Sequence, residues 1–154
     1  MDFYNHLIEK AKQDGIEKIV VGAVIQDSDE KILILRRPFN DFLGGLYEMP
    51  SGRVEENETL LDALKREIKE ETNLDLSSIL SYLDFFDYKS QSGKKSRQHN
   101  FAITVKSTDN IELTEHDKFK WQTIDETQNN PRISINTKHL LKIFAFNKNL
   151  SLTK

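Results

Sequence analysis

Apolar residues recur at helical spacing in some stretches of the chain and run unbroken for a few residues in others. Phe3, Leu7, Ile8 and Ala11 predict a short amphipathic helix within residues 1–16. Residues 19–25 and 32–35 are β-branched or leucine runs, separated by the polar turn 26–30, and predict strands buried on both faces. A long loop, 38–45, leads to a short segment at 46–49, and Pro50-Ser51-Gly52 reads as a turn. Residues 58–72 carry the strongest helical period, with Asn57 or Thr59 available to cap the start and Asn73 placed for a left-handed end. Residues 82–88 and 101–105 predict two strands joined by the polar stretch 89–100, and 119–124 a further short strand. Leu140, Leu141, Ile143 and Phe144 predict a closing helix over 135–146. Strands on both sides of a central helix imply a layered α/β or α+β domain. No repeat or linker divides the chain, so one domain over residues 1–154 is expected, with its core in 17–146.

Composition narrows the chemistry. The 154 residues are 31% charged and 37% hydrophobic, with 22 Lys and Arg against 25 Asp and Glu. A net charge of −3 argues against tracking polymeric nucleic acid, which favours a basic surface. The absence of cysteine excludes disulfides, thiolate metal sites and a cysteine nucleophile, and suits a reducing cytoplasm. No apolar run is long enough to span a bilayer, and the start lacks a signal-peptide pattern. A cytoplasmic protein without a membrane partner, monomeric or homodimeric, is the expectation.

The helix over 58–72 holds the most specific signal. On a wheel of 100° per residue, Leu60, Leu61, Leu64 and Ile68 share one arc, while Glu58, Asp62, Lys65 and Lys69 lie opposite. Glu67 and Glu70 flank the apolar arc, but Glu71 falls inside it. A carboxylate aimed at a core is costly unless compensated, and glutamates at i, i+3 and i+4 repel one another. Both penalties vanish if a hard divalent cation sits among them, and magnesium favours such oxygen ligands while keeping sites for water and phosphate. The plainer alternative is a surface helix whose glutamates pair with Lys65, Arg66 and Lys69.

The wider pattern decides between them. Gly52, then five residues, Glu58, then seven, then Arg66-Glu67-Ile68-Lys69-Glu70-Glu71-Thr72-Asn73-Leu74 resembles the signature of the Nudix hydrolases, MutT-like members included. That signature is G-x5-E-x7-R-E-U-x-E-E-x-G-U, with U a bulky aliphatic residue. Its second glycine is Asn73 here, a residue that also tolerates positive φ. The approach through Tyr47-Glu48-Met49-Pro50-Ser51-Gly52 and the later Glu115-His116-Asp117, Phe119 and Trp121 extend the likeness over about residues 17–146.

The resemblance implies the Nudix fold, a mixed β-sheet sandwiched between helices. It implies hydrolysis of a diphosphate linkage in a small nucleotide derivative, with magnesium or manganese. A nucleoside triphosphate pyrophosphatase, acting on oxidised purine nucleotides, is the first expectation. An ADP-ribose or nucleotide-sugar pyrophosphatase is the alternative within the class, and a non-catalytic nucleotide sensor the alternative outside it. Sensors of this kind usually lose box glutamates, and all are present here. By resemblance Glu67, Glu70 and Glu71 are metal ligands, with the Ser51 backbone as a further ligand. Arg66 and Glu58 orient them, and Glu115 is a further ligand or base. Arg37, Tyr47 and Asn136 are candidate substrate contacts, and for Asn136 a helix N-cap is the preferred alternative. Lys89, Lys94, Lys95, Arg97 and His99 form a basic cluster that is expected either to steer a polyphosphate or simply to be solvated.

Overall fold

The computed structural model describes residues 2–152. The apolar runs form β1 (Lys18–Ile25) and β2 (Ile32–Arg36), and each feeds two cores at once. Val21, Ala23, Leu33 and Leu35 enter one core beside Leu60, Leu64 and Ile68; Val24, Ile32 and Ile34 enter the other beside Leu140 and Leu141. Period-two alternation with no polar face is what strands covered on both sides require.

β1 lies between β4 (Ser51–Arg53), antiparallel, and β6 (Lys95–Val105), parallel; β5 (Leu76–Lys89) pairs antiparallel with β6 and closes that four-stranded sheet. β2 is the centre of a three-stranded antiparallel sheet with β3 (Tyr47–Glu48) and β7 (Lys118–Gln122). α1 (Phe3–Gln13) and α2 (Leu60–Thr72) share the first core, and α4 (Ile135–Leu152) covers the second with α3 (Ile124–Gln128) packed beside it. The result is a mixed α+β architecture, its sheets flanked by helices. No helix among the described residues is long and apolar enough to cross a membrane.

Thr59, not Asn57, caps α2: its side chain accepts a hydrogen bond from the Asp62 N–H at 3.1 Å. Asn57 takes a left-handed turn instead, with φ 65°. Asn73 ends the helix at φ 67°, as its position in the sequence predicts, and its side chain also donates to the Asn110 carbonyl at 3.1 Å.

Four sequence expectations need correction. Ser51 and Gly52 do not form a turn; with Arg53 they make β4, because the β1 edge supplies partners for their backbone. Ile124 belongs to α3, where Thr123 and Glu126 form a reciprocal cap. The closing helix continues past Phe146 to Leu152. The stretch 89–100 is not a connection. β5 and β6 pair up to Lys89 and Lys95, and Arg97 and His99 are buried strand residues. Arg97 donates to both Asp87 carboxylate oxygens, at 2.8 and 3.0 Å, and to Asp14 at 2.9 Å, tying the end of α1 to the hairpin. It therefore takes no part in a free basic surface.

Replacing Arg97 with Met removes the guanidinium that joins Asp87 to Asp14 and should lower unfolding stability by about 1–2 kcal/mol, since both carboxylates keep solvent contact and Asp14 keeps Lys10. Lys94→Gln and Lys95→Gln, on exposed positions, should stay within about 0.5 kcal/mol of the parent. Urea denaturation midpoints check both, and an unchanged midpoint for Arg97→Met contradicts the structural role.

Candidate active site

α2 and β4 meet at a point where glycine is required. A Cβ on Gly52 would overlap the Glu67 carboxyl, which rests directly on the Gly52 Cα. Glu67 is thus set against the strand backbone, with 14% of its side chain exposed. The Ser51 N–H points to Glu71 Oε2 at 3.4 Å, a long contact.

Arg66 organises the carboxylates around it. Its Nε and one terminal nitrogen donate to the two oxygens of Glu58, each at 2.8 Å, and the guanidinium also donates to the Arg53 carbonyl at 2.9 Å. Its other nitrogen donates to Glu67 Oε1 at 2.7 Å and to Glu70 Oε2 at 3.2 Å. This fork holds the Glu58 carboxyl down to about 2, so Glu58 is a fixed anion that fixes Arg66 in turn. Glu70 is the exposed member of the set, at 58%.

Glu71 is different. Its side chain is 5% exposed, and among the described residues its one partner within ion-pair range is His116 Nδ1, at 3.9 Å. Burial, then the neighbouring charges of Glu48 and Glu67, pushes its carboxyl up to about 9. Glu67 is also raised, chiefly by burial, against the pull of Arg66. Among the described residues no three His, Asp or Glu side chains are already closed around a metal position. Yet a buried, uncompensated carboxyl among Glu48, Glu67 and Glu115 has the chemistry that a divalent cation would relieve. The donor set therefore fits such an ion.

Glu48 and His116, which the sequence pattern assigns no role at the site, meet beside Glu71. His116, 9% exposed, places Nε2 2.8 Å from Glu48 Oε1, while its Nδ1 has no hydrogen-bond partner. Glu48 also accepts from Arg37 at 3.1 Å. Arg37 donates as well to the Phe42 carbonyl at 2.6 Å and to Asp41 at 3.1 Å, so it secures the 38–45 loop. Glu115 is exposed, near enough to Glu67 and Glu71 for its charge to raise both.

A cavity of about 440 Å³ lies on the opposite side of β4 from this cluster. Tyr47, Phe86, Gln98 and Asn136 line it, with Glu48 and Ser51 at the border between the two regions. Asn136 is inside α4, and Ser134 accepts the hydrogen bond of the first turn, from the Thr137 N–H at 3.2 Å. The sequence thus brings Glu58, Arg66, Glu67, Glu70 and Glu71 together on one strand–helix unit, with Arg37, Tyr47 and Asn136 around the adjoining cavity.

A layered α+β fold carries a carboxylate-rich strand–helix unit beside a cavity. The chain belongs to the Nudix family: the NUDIX domain model matches residues 17–142. It is 38% identical over 58 residues to the 8-oxo-dGTP diphosphatase of Proteus vulgaris, covering 38% of this chain and 52% of that protein. It therefore spans about half the length of that relative. It is 30% identical over 132 residues to the ADP-ribose pyrophosphatase of Methanocaldococcus jannaschii, covering 85% of this chain and 75% of that one. The crystal structure of the MutT protein from Methanosarcina mazei Go1 superposes with a TM-score of 0.72 at 22% identity, over 85% of this chain and 94% of the other, a likeness of fold. Nudix hydrolases generally use divalent metal ions.

In metal-free protein, Glu71→Gln should raise stability, and the gain should grow with pH. The unfolded glutamate ionises near 4.5 and the folded one near 9, so between those values the folded state binds more protons. The stability of the parent then falls as pH rises through that window, and an amide removes the slope. Melting temperatures of both proteins from pH 5 to 9 test this; parallel curves contradict it.

Proposed function

We propose that this chain hydrolyses a diphosphate linkage in a small nucleotide derivative, with magnesium as the cation and manganese as a substitute. The observation that carries the reading is the buried Glu71 carboxyl, which among the described residues has only the distant His116 Nδ1, at 3.9 Å, within ion-pair range and lies beside Glu67 on a helix matching the family signature. Glu67, Glu70, Glu71 and the Ser51 carbonyl would hold the ion. When bound, a divalent cation neutralises diphosphate oxygens and acidifies water.

The chain's own groups do the rest. Glu58 holds Arg66, and Arg66 sets the Glu67 and Glu70 carboxylates before substrate arrives, so little reorganisation is left for the reaction itself. Glu115, exposed and close in charge terms to both buried glutamates, is the base we assign for water, with Glu67 sharing that role. Arg37 bonds Glu48, Asp41 and the Phe42 carbonyl, which shapes the loop beside the cavity, and it lines that cavity with donors left for a substrate phosphate. Tyr47 and Asn136 line the cavity where a base and sugar would lie. A cytoplasmic setting, with free nucleotides as partners, belongs to the same reading.

A nucleoside triphosphate, oxidised purines included, is the first substrate, supported by the Proteus relative. The longer match to an ADP-ribose pyrophosphatase favours ADP-ribose as the second. Retention of every box glutamate weighs against a sensor without activity.

Purified protein with magnesium, offered dGTP, 8-oxo-dGTP and ADP-ribose, should cleave at least one. Glu70→Gln and Glu71→Gln should each lower its kcat by about a hundredfold or more while remaining folded. Full activity in either variant overturns the ligand assignment.

A further inference from the structure

Across the cavity floor the sheet register sets Arg53, Val20, Gln98 and Phe86 in one row, and Ser51, Gly22, Asn100 and Asp84 in the next. Two primary amides thus stand side by side in the middle of a sheet. Gln98 is 8% exposed and Asn100 is fully buried. Gly22 makes room for them: a Cβ there would lie 2.5 Å from Gln98 Nε2 and 2.6 Å from Asn100 Oδ1. The strand carries glycine where an apolar side chain would otherwise pack, and the space goes to the amide pair.

Hydrogen-bond arithmetic orients Gln98. The Asn100 amide nitrogen has two hydrogens, and it donates them to the Asp84 carbonyl at 3.2 Å and the Gln98 carbonyl at 3.1 Å. Asn100 Oδ1 is therefore an acceptor, and Gln98 Nε2 donates to it at 2.8 Å. Reversing the Gln98 amide would bring two oxygens together. Among the described residues its Oε1 and the second Nε2 hydrogen have no hydrogen-bond partner. Oε1 is not among the sealed, unpartnered polar atoms of the described residues, whereas the residue lines the cavity. Mutual satisfaction of the two amides accounts for one of Gln98's hydrogen-bonding groups and leaves the rest facing the cavity.

We propose that Gln98, held in a single orientation by Asn100, is a specificity-determining residue that reads the edge of a nucleobase, accepting from a ring or exocyclic N–H and donating to the acceptor beside it. Phe86, paired with Gln98 in the register, and Tyr47 supply aromatic walls for the base. The ligand class is a nucleotide whose base has adjacent donor and acceptor groups; bases with acceptors alone leave Gln98 Oε1 unpartnered and are rejected. This inference rests on the nucleotide reading above, and it needs no cation.

The test is binding of nucleoside monophosphates, which carry no diphosphate to cleave, to the whole chain in the presence of a chelator. AMP, GMP, CMP and UMP are compared with purine riboside monophosphate, whose base has acceptors only. The tightest of the four should shift the Gln98 side-chain amide resonances. Gln98→Met should weaken that ligand by about tenfold and leave the weaker purine riboside monophosphate unchanged. Equal weakening of both ligands shows a structural role only and overturns the proposal, as does unaltered affinity in the variant. Unmoved Gln98 resonances, or no binding by any of the four, also overturn it. The resonance measurement uses the unaltered chain, so it decides even if the variant does not fold. Loss of cation-dependent hydrolysis with the binding pattern intact would instead refute the hydrolase reading and leave Gln98 in place.

Discussion

The site depends on one constraint: a carboxyl, Glu71, lies where the helix faces the core, and among the described residues only His116 Nδ1, at 3.9 Å, comes within ion-pair range of it. Its Cα position is dictated by the amphipathic stripe of α2, since Leu64 and Ile68 must be buried and Glu71 follows them by periodicity. The strand below cannot relieve it, because Ser51 offers only a long N–H contact. Arg66 cannot relieve it either, since its donors are committed to Glu58, Glu67, Glu70 and the Arg53 carbonyl. In the protein alone the carboxyl is held in its neutral form; an added cation would reverse that balance.

The same junction links the carboxylate cluster to the cavity. β4 is three residues long, yet one side of it receives Glu67 on Gly52 while its residues also border the cavity. Glu48 completes the connection, bonding His116 near Glu71 and Arg37 at the root of the 38–45 loop. A nucleotide with its base against the sheet and its phosphates over β4 would meet both regions at once. The short strand thus acts as a partition, and glycine at position 52 lets a carboxyl approach it without distorting the sheet.

Much of this was legible in the sequence. The helical period and the Asn73 end located α2, with its start open between Asn57 and Thr59, and Glu71 stood out as the acid inside its apolar arc. The two-faced burial of β1 and β2 followed from their unbroken apolar runs. Local pattern failed where polar side chains are buried by partners distant in the chain. Arg97 is sealed by Asp14 and Asp87, so a strand was mistaken for a basic connection. Gln98 and Asn100 lie in an unbroken run of buried positions, 96–103, whose first five residues are all polar and so carry no apolar pattern. Glu48 and His116 lie in the two segments that extend the likeness, but their pairing crosses 68 positions of sequence and local pattern cannot show it.

Titration of metal-free protein with Mn²⁺, followed by the loss of its free-ion paramagnetic resonance signal, tests the central claim most directly. The parent should bind the ion at a site that weakens by about tenfold or more in Glu71→Gln, a loss on the scale of a charged ligand. Equal affinity in the two proteins would contradict it, because the buried carboxyl would then have no part in holding the ion.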